Sequence, residues 1–234
     1  MAMRKAALIS LILLAWPASA AAARPPVLVE LFTAQGCGSC DDANPYFSKL
    51  AERAGVLALT FSVDYWDYLG WTDTFAKPDF AERQRAYVTR LGLREPYTPQ
   101  VVVDGVHETQ ALKGAEVDRL VRDAGVARRN PPDVAFIGSR RVDVGSGRAP
   151  RGGADVWLVR YDPREVEVPV KAGDNRGETL VQKNVVRQID RLGSWTGRPR
   201  AFRIPPANAE GLRTAVVVQM PRGGRVITVA QPEI

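Results

Sequence analysis

Hydrophobic residues in the first half of the chain follow two spacings, one typical of strands and one of helices. Alternating or continuous apolar positions indicate strands, whereas apolar positions three and four apart indicate amphipathic helices. The predicted elements are a strand over 25–32, a helix over 40–53, a strand over 56–63, a helix over 78–91, strands over 100–103 and 106–109, and a helix over 113–124. The Asp104-Gly105 pair between the two short strands is a strong hairpin signal. This order predicts an α/β unit with a mixed sheet flanked by helices.

Beyond Asn130 the pattern changes to period two, and glycine-rich turns separate the apolar segments. Strands are predicted over 156–161, 165–170, 180–186, 214–219 and 225–230. We therefore expect an all-β, sandwich-like domain of about six to eight strands over 132–234. The first domain is expected to cover 24–126, with Pro131 and Pro132 at the boundary.

Residues 1–23 have the composition of a secretory signal peptide. Arg4 and Lys5 precede an apolar run over 6–16, and small residues follow over 18–20. The run is shorter than the ~20 residues that span a bilayer, so we expect cleavage and a mature chain without an integral membrane segment. The bacterial periplasm is the expected location, with full secretion as the alternative. An uncleaved membrane anchor is the other interpretation of this segment.

Composition and charge narrow the function classes. With 45% hydrophobic and 25% charged residues, the chain is neither intrinsically disordered nor collagen-like. The net charge is +6, and the charges are unevenly distributed along the chain. Residues 24–125 carry 11 basic and 15 acidic side chains, whereas residues 126–234 carry 19 basic and 11 acidic side chains. The basic residues are scattered without interleaved aromatic residues, which is typical of a solvated surface, so no nucleic-acid partner is expected. No glycine-rich phosphate loop follows a predicted strand, and we expect no bound cofactor.

The reactive side chains are few, with two cysteines and one histidine in the whole chain. Cys37 and Cys40 are three residues apart, between a predicted strand and a predicted helix. Unpaired N–H groups at a helix N-terminus stabilise a thiolate, so Cys37 is suited to be the nucleophile of thiol–disulfide exchange. Cys40, further into the helix and more shielded, is suited to resolve the mixed disulfide.

The motifs around these cysteines resemble those of the thioredoxin superfamily and, more closely, those of a family of exported bacterial proteins, the domain of unknown function 1223 (DUF1223). The blocks that carry the resemblance are VELFT (29–33), GCGSC (36–40), DYWDYLGW (64–71), RQR (83–85), YTPQ (97–100), GDNRG (173–177) and NVVR (184–187). The resemblance implies a thioredoxin-like domain followed by a β domain, and it supplies no activity. Related sequences often carry prolines after the second cysteine, where this chain has Asp41 and Asp42.

The resemblance also implies roles for residues outside the cysteine motif. Thioredoxin-like proteins hold a cis proline opposite the cysteines, with the preceding residue free to pair with an extended peptide. Thr98 and Pro99 lie at the matching place in the chain. Glu30 lies near the position of a buried acid, one residue further from the motif than in thioredoxin, where its carboxylate would accept the proton of Cys40. The alternative is a strand-end carboxylate that faces solvent or caps a neighbour.

An aromatic loop over 65–71 follows the second predicted strand, at the end where the cysteines also emerge. In one interpretation Trp66 and Trp71 form a wall of a peptide-binding groove next to Thr98. In the other interpretation both side chains pack over the edge of the sheet or against the β domain. The sequence favours the second interpretation, although both tryptophans remain candidates for substrate binding.

The favoured function is that of an exported thiol–disulfide oxidoreductase, which acts on protein thiols and needs a redox partner protein to reset its cysteines. A purely structural disulfide is one alternative, although so short a loop gives little chain-entropy stabilisation. Cys37, Cys40 and His107 are the ligand types of a copper site, as in thioredoxin-like copper chaperones. The third alternative is a binding module with a vestigial redox site. No metal is expected in the favoured function.

Asp41 and Asp42 predict the redox character of the cysteine pair. Carboxylates in the first helical turn compete with the Cys37 thiolate for the positive end of the helix, so we expect them to raise the pKa of Cys37. A less stabilised thiolate makes the reduced form less favoured, so the Cys37–Cys40 couple should lie nearer the reducing end of the range of reduction potentials. Titration of the thiolate by ultraviolet absorbance tests this. A Cys37 that remains a thiolate at strongly acidic pH would contradict the prediction.

Overall fold

The computed structural model describes residues 24–127 and 130–232. The expected signal peptide, residues 1–23, lies outside the described residues. Among the helices of the described ranges, none is long and apolar enough to cross a membrane.

Strands dominate the described part of the chain. They are β1 (Val27–Thr33), β2 (Val56–Ser62), β3 (Gln100–Val103), β4 (His107–Gln110), β5 (Val134–Ile137), β6 (Arg141–Val144), β7 (Ala154–Pro169), β8 (Thr179–Trp195), β9 (Arg200–Arg203), β10 (Arg213–Gln219) and β11 (Val226–Ala230). The helices are α1 (Asn44–Ala51), α2 (Pro78–Leu91) and α3 (Gly114–Ala127), with short 3-10 helices over Gly38–Ala43 and Asp67–Leu69. The strands and helices predicted for the first half are present, most of them with small shifts of their ends. The helix predicted over 40–53 differs more, because its first part is a 3-10 helix and α1 begins only at Asn44.

The ends of α2 show how local chemistry sets these boundaries. The helix begins at Pro78, whose fixed φ suits a first helical turn and whose missing N–H needs no partner there. It ends at Leu91 and is capped by Gly92, which has a φ of 69° and adopts this left-handed conformation without a Cβ clash. Phe80, Tyr87 and Val88 form its buried face.

One eight-stranded mixed sheet runs through the molecule in the order β11-β10-β7-β8-β2-β1-β3-β4, and we call it the main sheet. β1 and β2 are parallel, and β3 is antiparallel to β1 on its other side. β8 lies parallel to β2, where Thr60 pairs with Val185, and joins strands of the second half to those of the first.

The expected mixed sheet with flanking helices is therefore confirmed, and the described part of the molecule is mostly sheet with few helices. Strands expected only in a second domain extend the sheet of the first half. Period-two alternation shows that a strand has one buried face, but it does not determine the neighbouring strand. The domain boundaries, 24–126 and 132–234, stay a prediction.

β1 lies deep within the main sheet, and all seven of its residues are buried. Val29 and Leu31 share a hydrophobic cluster with α1 and α3, whereas Leu28 and Phe32 pack in another cluster with α2. Successive side chains of a strand point to opposite faces. The apolar residues on both faces of β1, interrupted only by Glu30 before the terminal Thr33, are therefore what a strand covered by helices on both faces requires.

A second, smaller sheet covers the outer part of the main sheet. β5, β6 and β9 form this three-stranded antiparallel sheet. Val142 and Phe202 of the small sheet are buried in one cluster with Leu158 and Val216 of the main sheet. Two sheets thus face each other in this region, which is the packing of a sandwich.

β7 and β8 form a long antiparallel hairpin. The sequence predicts two strands where β7 is one, because the apolar pattern breaks near Asp162. In the structure this break is a register shift between Asp162 and Glu165, an irregularity that bends a strand without ending it. The hairpin connection, residues 170–178, thereby reaches the segment that carries the cysteines.

The turns of two hairpins meet at Gly105, between β3 and β4, and Gly224, between β10 and β11. A Cβ at Gly105 would lie 2.4 Å from the carbonyl oxygen of Gly224, and the φ of Gly105 is +66°. Gly105→Ala should therefore lower the free energy of unfolding by more than the about 1–2 kcal/mol that a left-handed alanine costs by itself. Urea unfolding of the purified protein measures this loss.

Gly55→Ala is the matched control for this variant. Gly55 has a φ of +76°, and no atom lies within 4 Å of an added Cβ. The control should lose only the conformational cost of about 1–2 kcal/mol. Equal losses in the two variants would show that the close approach of the two turns does not matter for stability.

Candidate functional site

The cysteine turn, residues 35–40, lies between β1 and α1 and includes the first residues of the 3-10 helix. Cys37 is the N-cap residue of this helix, and it forms a disulfide with Cys40 across a Cα–Cα distance of 5.4 Å. The N–H of Cys40 donates a hydrogen bond to the carbonyl of Cys37 at 3.0 Å. Both cysteines are 1% exposed, so the prediction that Cys40 is the more shielded one is wrong for the disulfide form.

Thr98 contacts the disulfide, and Pro99 follows it in the segment that leads into β3. The peptide bond between them is cis. The Thr98 hydroxyl donates a hydrogen bond to Cys37 Sγ at 3.2 Å, and Pro99 is buried. The structure thus brings together Cys37 and Thr98, which are 61 residues apart in the sequence.

Trp66 continues this set of contacts toward the surface. Its indole Nε1 donates to the Thr98 hydroxyl at 2.7 Å. The ring of Tyr68 stacks on it, with centroids 6.3 Å apart and an interplanar angle of 18°, and Tyr68 is 77% exposed. Trp66 therefore lies between the disulfide region and solvent, at the place that the substrate-binding interpretation requires, although that role stays a prediction.

Trp71 has different contacts. Its Nε1 donates to Gln35 Oε1 at 2.9 Å, and Thr74 donates to the same oxygen from both its N–H and its hydroxyl. The neighbouring Asp73 accepts a hydrogen bond from the N–H of Gln35 at 2.7 Å. Burial raises the pKa of Asp73, although backbone N–H groups oppose this shift. Trp71 thus supports the residues that precede Cys37, and its role in substrate binding stays a prediction.

Asn175 is a residue of the site that the sequence analysis does not identify. Its Nδ2 donates to the carbonyl oxygens of Gln35 at 3.0 Å and Cys37 at 2.8 Å. The neighbouring Asp174 donates its N–H to the carbonyl of Gly36 at 3.3 Å. The only sequence signal is the GDNRG block at 173–177, which a turn also explains.

Glu30 is fully buried in β1, so its solvent-facing alternative is wrong. Arg83 of α2 donates from Nε to one carboxylate oxygen of Glu30 at 2.5 Å and from Nη2 to the other at 3.2 Å. The hydroxyl of Tyr87 donates to the second oxygen as well, and Gln219 of β10 accepts from Arg83 at 3.2 Å. Both oxygens of Glu30 thus have partners on α2. Its role as proton acceptor for Cys40 stays a prediction.

The protonation states of this buried network follow from its geometry. Burial lowers the pKa of Arg83, but attraction to the Glu30 carboxylate outweighs it, and the pKa is raised overall. Burial raises the pKa of Tyr87 well above its usual value; Arg83 opposes this shift and Glu30 adds to it. Arg83 is therefore charged and Tyr87 neutral at physiological pH, which makes both of them donors to Glu30.

His107 lies at the far end of the β3–β4 hairpin from Pro99. It pairs with Val103, next to the Asp104-Gly105 turn, and is exposed. Within residues 24–127 and 130–232, no group of three or more His, Cys, Asp or Glu side chains is arranged to hold a metal ion. The geometry therefore gives no support to a copper site built from His107 and the two cysteines.

Comparisons with known proteins connect most of the chain to relatives. The family model described as "Protein of unknown function (DUF1223)" matches residues 28–219. A crystal structure of a protein from Agrobacterium tumefaciens is similar, with a TM-score of 0.73, 30% identity, and coverage of 90% of this chain and 95% of that one. HBP35 of Porphyromonas gingivalis shares the fold at 14% identity, with a TM-score of 0.58 and coverage of 90% of this chain and 76% of that one. No curated protein matches the chain.

The buried ion pair of Glu30 and Arg83 predicts a non-additive effect on stability. Arg83→Met leaves the Glu30 carboxylate buried without its cation and should cost about 3–5 kcal/mol of unfolding free energy. The double variant with Glu30→Gln removes the uncompensated charge, so it should be more stable than Arg83→Met alone. Urea unfolding of the single and double variants measures the coupling. Additive losses would contradict this account of the network.

Proposed function

We propose a thiol–disulfide exchange activity for this chain, which belongs to the DUF1223 family of proteins of unknown function. The observation that carries the proposal is the contact between Thr98 and the disulfide. The Thr98 hydroxyl lies 3.2 Å from Cys37 Sγ, and Cys37 itself lies at the start of a helix. The helix is the short 3-10 helix over Gly38–Ala43 that leads into α1, and a helix N-terminus is one of the positions that favour the nucleophilic thiolate of a cysteine.

The strand order supports a thioredoxin-like arrangement of the first half. β2, β1, β3 and β4 are neighbours in that order, with β1 parallel to β2 and β3 antiparallel to both β1 and β4. α1 and α3 pack in a cluster with one face of β1, and α2 packs with the other. These neighbours and packing contacts support the thioredoxin-like arrangement that we propose for the first half.

The proposed reaction conserves atoms and electrons. A thiolate of a protein dithiol attacks Cys37 Sγ, a mixed disulfide forms, and Cys40 leaves as a thiolate. The second substrate thiolate then attacks the substrate sulfur of the mixed disulfide, and Cys37 leaves as a thiolate. Two electrons pass from the substrate to the cysteine pair, and the two thiol protons of the substrate pass through solvent to Cys37 and Cys40. A redox partner protein that carries a disulfide reverses these steps. The Cys37 thiolate attacks the partner disulfide, and Cys40 then attacks Cys37 Sγ, which releases the reduced partner and restores the Cys37–Cys40 disulfide.

The proposed location is the periplasm, with secretion as the alternative. Residues 1–23 have the pattern of a cleavable signal peptide, and disulfide exchange suits an exported protein. The proposed substrates are protein thiols or disulfides. The aromatic pair of Trp66 and Tyr68 next to Thr98 offers a surface for the chain that carries the substrate cysteine.

Replacing Cys40 by alanine tests the proposed exchange. In this variant the Cys37 thiolate still attacks a disulfide of a substrate or partner, but no Cys40 thiol is present to release the mixed disulfide, which should accumulate. The Cys40→Ala variant is exported into a bacterial periplasm, the cells are quenched with acid, and free thiols are blocked. We expect adducts of higher mass on a non-reducing gel that disappear on reduction.

Cys37→Ala is the matched control, because it keeps one cysteine in the same turn but removes the proposed nucleophile. Its adducts should be several-fold fewer than those of Cys40→Ala. The proposal is contradicted if Cys40→Ala yields no adducts, or if the two variants yield the same adducts in equal amounts.

A further inference from the structure

The cover turn, residues 173–175 in the connection between β7 and β8, lies directly against the cysteine turn. A Cβ at Gly173 would lie only 3.2 Å from the Cα of Gly36. A Cβ at Gly38 would lie 3.2 Å from the Cβ of Asp174. The two turns are therefore in contact, and each has a glycine where a side chain would push them apart.

Asn175 makes the principal polar contacts between these two turns. It is 5% exposed, and its amide group donates to the carbonyls of Gln35 and Cys37. The third contact is the longer hydrogen bond from Asp174 N–H to the Gly36 carbonyl, at 3.3 Å. A single side chain thus ties the β7–β8 hairpin to the backbone of the nucleophilic cysteine.

The connection that carries the cover turn, residues 170–178, keeps its own shape by internal hydrogen bonds. Backbone N–H groups of Arg176 and Glu178 donate to the carbonyls of Gly173 and Asn175 at 3.2 and 3.0 Å, and Val170 pairs with Glu178 and Gly177 at 2.9 Å. Most of the side chains in this connection are exposed. These internal bonds do not use the side chain of Asn175, so the connection keeps its internal structure without the contacts of that side chain.

Access to the sulfur decides which thiols react with a disulfide. Cys37 is 1% exposed, although the adjacent Gly38 and Ser39 are exposed. We propose that Asn175 is a positioning residue of the exchange site, which holds the cover turn over the cysteine turn so that bulky thiols reach Cys37 only when the cover turn withdraws. This inference rests on the proposed function, because it makes the β7–β8 hairpin a selector of substrate thiols.

Asn175→Ala tests the inference through two thiols of different size. Loss of two hydrogen bonds should shift the cover turn toward the withdrawn position by about tenfold or more. The disulfide of the full chain is reduced with dithiothreitol and, separately, with a polyethylene glycol chain of several kilodaltons that ends in a thiol. Both rates should rise, and the rate with the polymer should rise more, so the ratio of the two rates changes.

Asn184→Ala is the matched control. Asn184 is also buried and lies in β8, and its Nδ2 donates to a backbone carbonyl, that of Ala58, at 2.8 Å. Its loss destabilises the protein without releasing the cover turn, so the ratio of the two rates should stay as in the wild type. An unchanged ratio in Asn175→Ala, or the same change in both variants, would overturn the proposal.

Gly173→Ala provides a second variant that does not depend on the folding of Asn175→Ala. Its Cβ would push the cover turn away from Gly36. The rate of reduction by the polymer thiol should therefore rise more than the rate with dithiothreitol, as in Asn175→Ala. These rates are measured on the disulfide itself and need no substrate turnover. The two reduction rates can therefore be measured even if the trapping experiment fails, and failure of this inference would not contradict the exchange activity.

Discussion

Buried backbone groups must find hydrogen-bond partners, and for the cysteine turn this requirement involves both halves of the chain. The N–H of Gln35 donates to Asp73, in the loop after β2. The carbonyls of Gln35 and Cys37 accept from Asn175, which is 138 residues beyond Cys37. The continuous sheet from β2 through β8 carries the hairpin connection to this place. A six-residue turn thus depends on the pairing of strands far from it in the sequence.

Local patterns predict the parts of the structure that local chemistry decides. The order of strand, cysteines and helix follows from apolar spacing, and the Asp104-Gly105 turn follows from the left-handed conformation that both residues adopt. Asn175 could not be identified in this way. The GDNRG block is a turn, as its composition indicates, but the backbone that its side chain reaches depends on sheet pairing, which the alternation of β7 and β8 does not determine.

Glu30 shows the same division between local and distant causes. Its burial follows from its place in an apolar strand, but its partner, Arg83, is 53 residues away and is set by the way α2 crosses the sheet. Because the carboxylate is bonded to Arg83 and Tyr87, it links β1 to α2, and Gln219 extends the link to β10. A proton transfer from Cys40 to Glu30 would have to compete with these bonds.

The redox potential of the Cys37–Cys40 couple tests the central claim most directly. The protein is equilibrated in dithiothreitol buffers of graded potential, and the fraction of disulfide is measured after acid quenching and thiol blocking. An exchange-active pair should titrate reversibly as a two-electron couple above about −300 mV, with the protein folded in both states. A potential below about −300 mV, or unfolding on reduction, is the behaviour of a structural disulfide and would contradict the account.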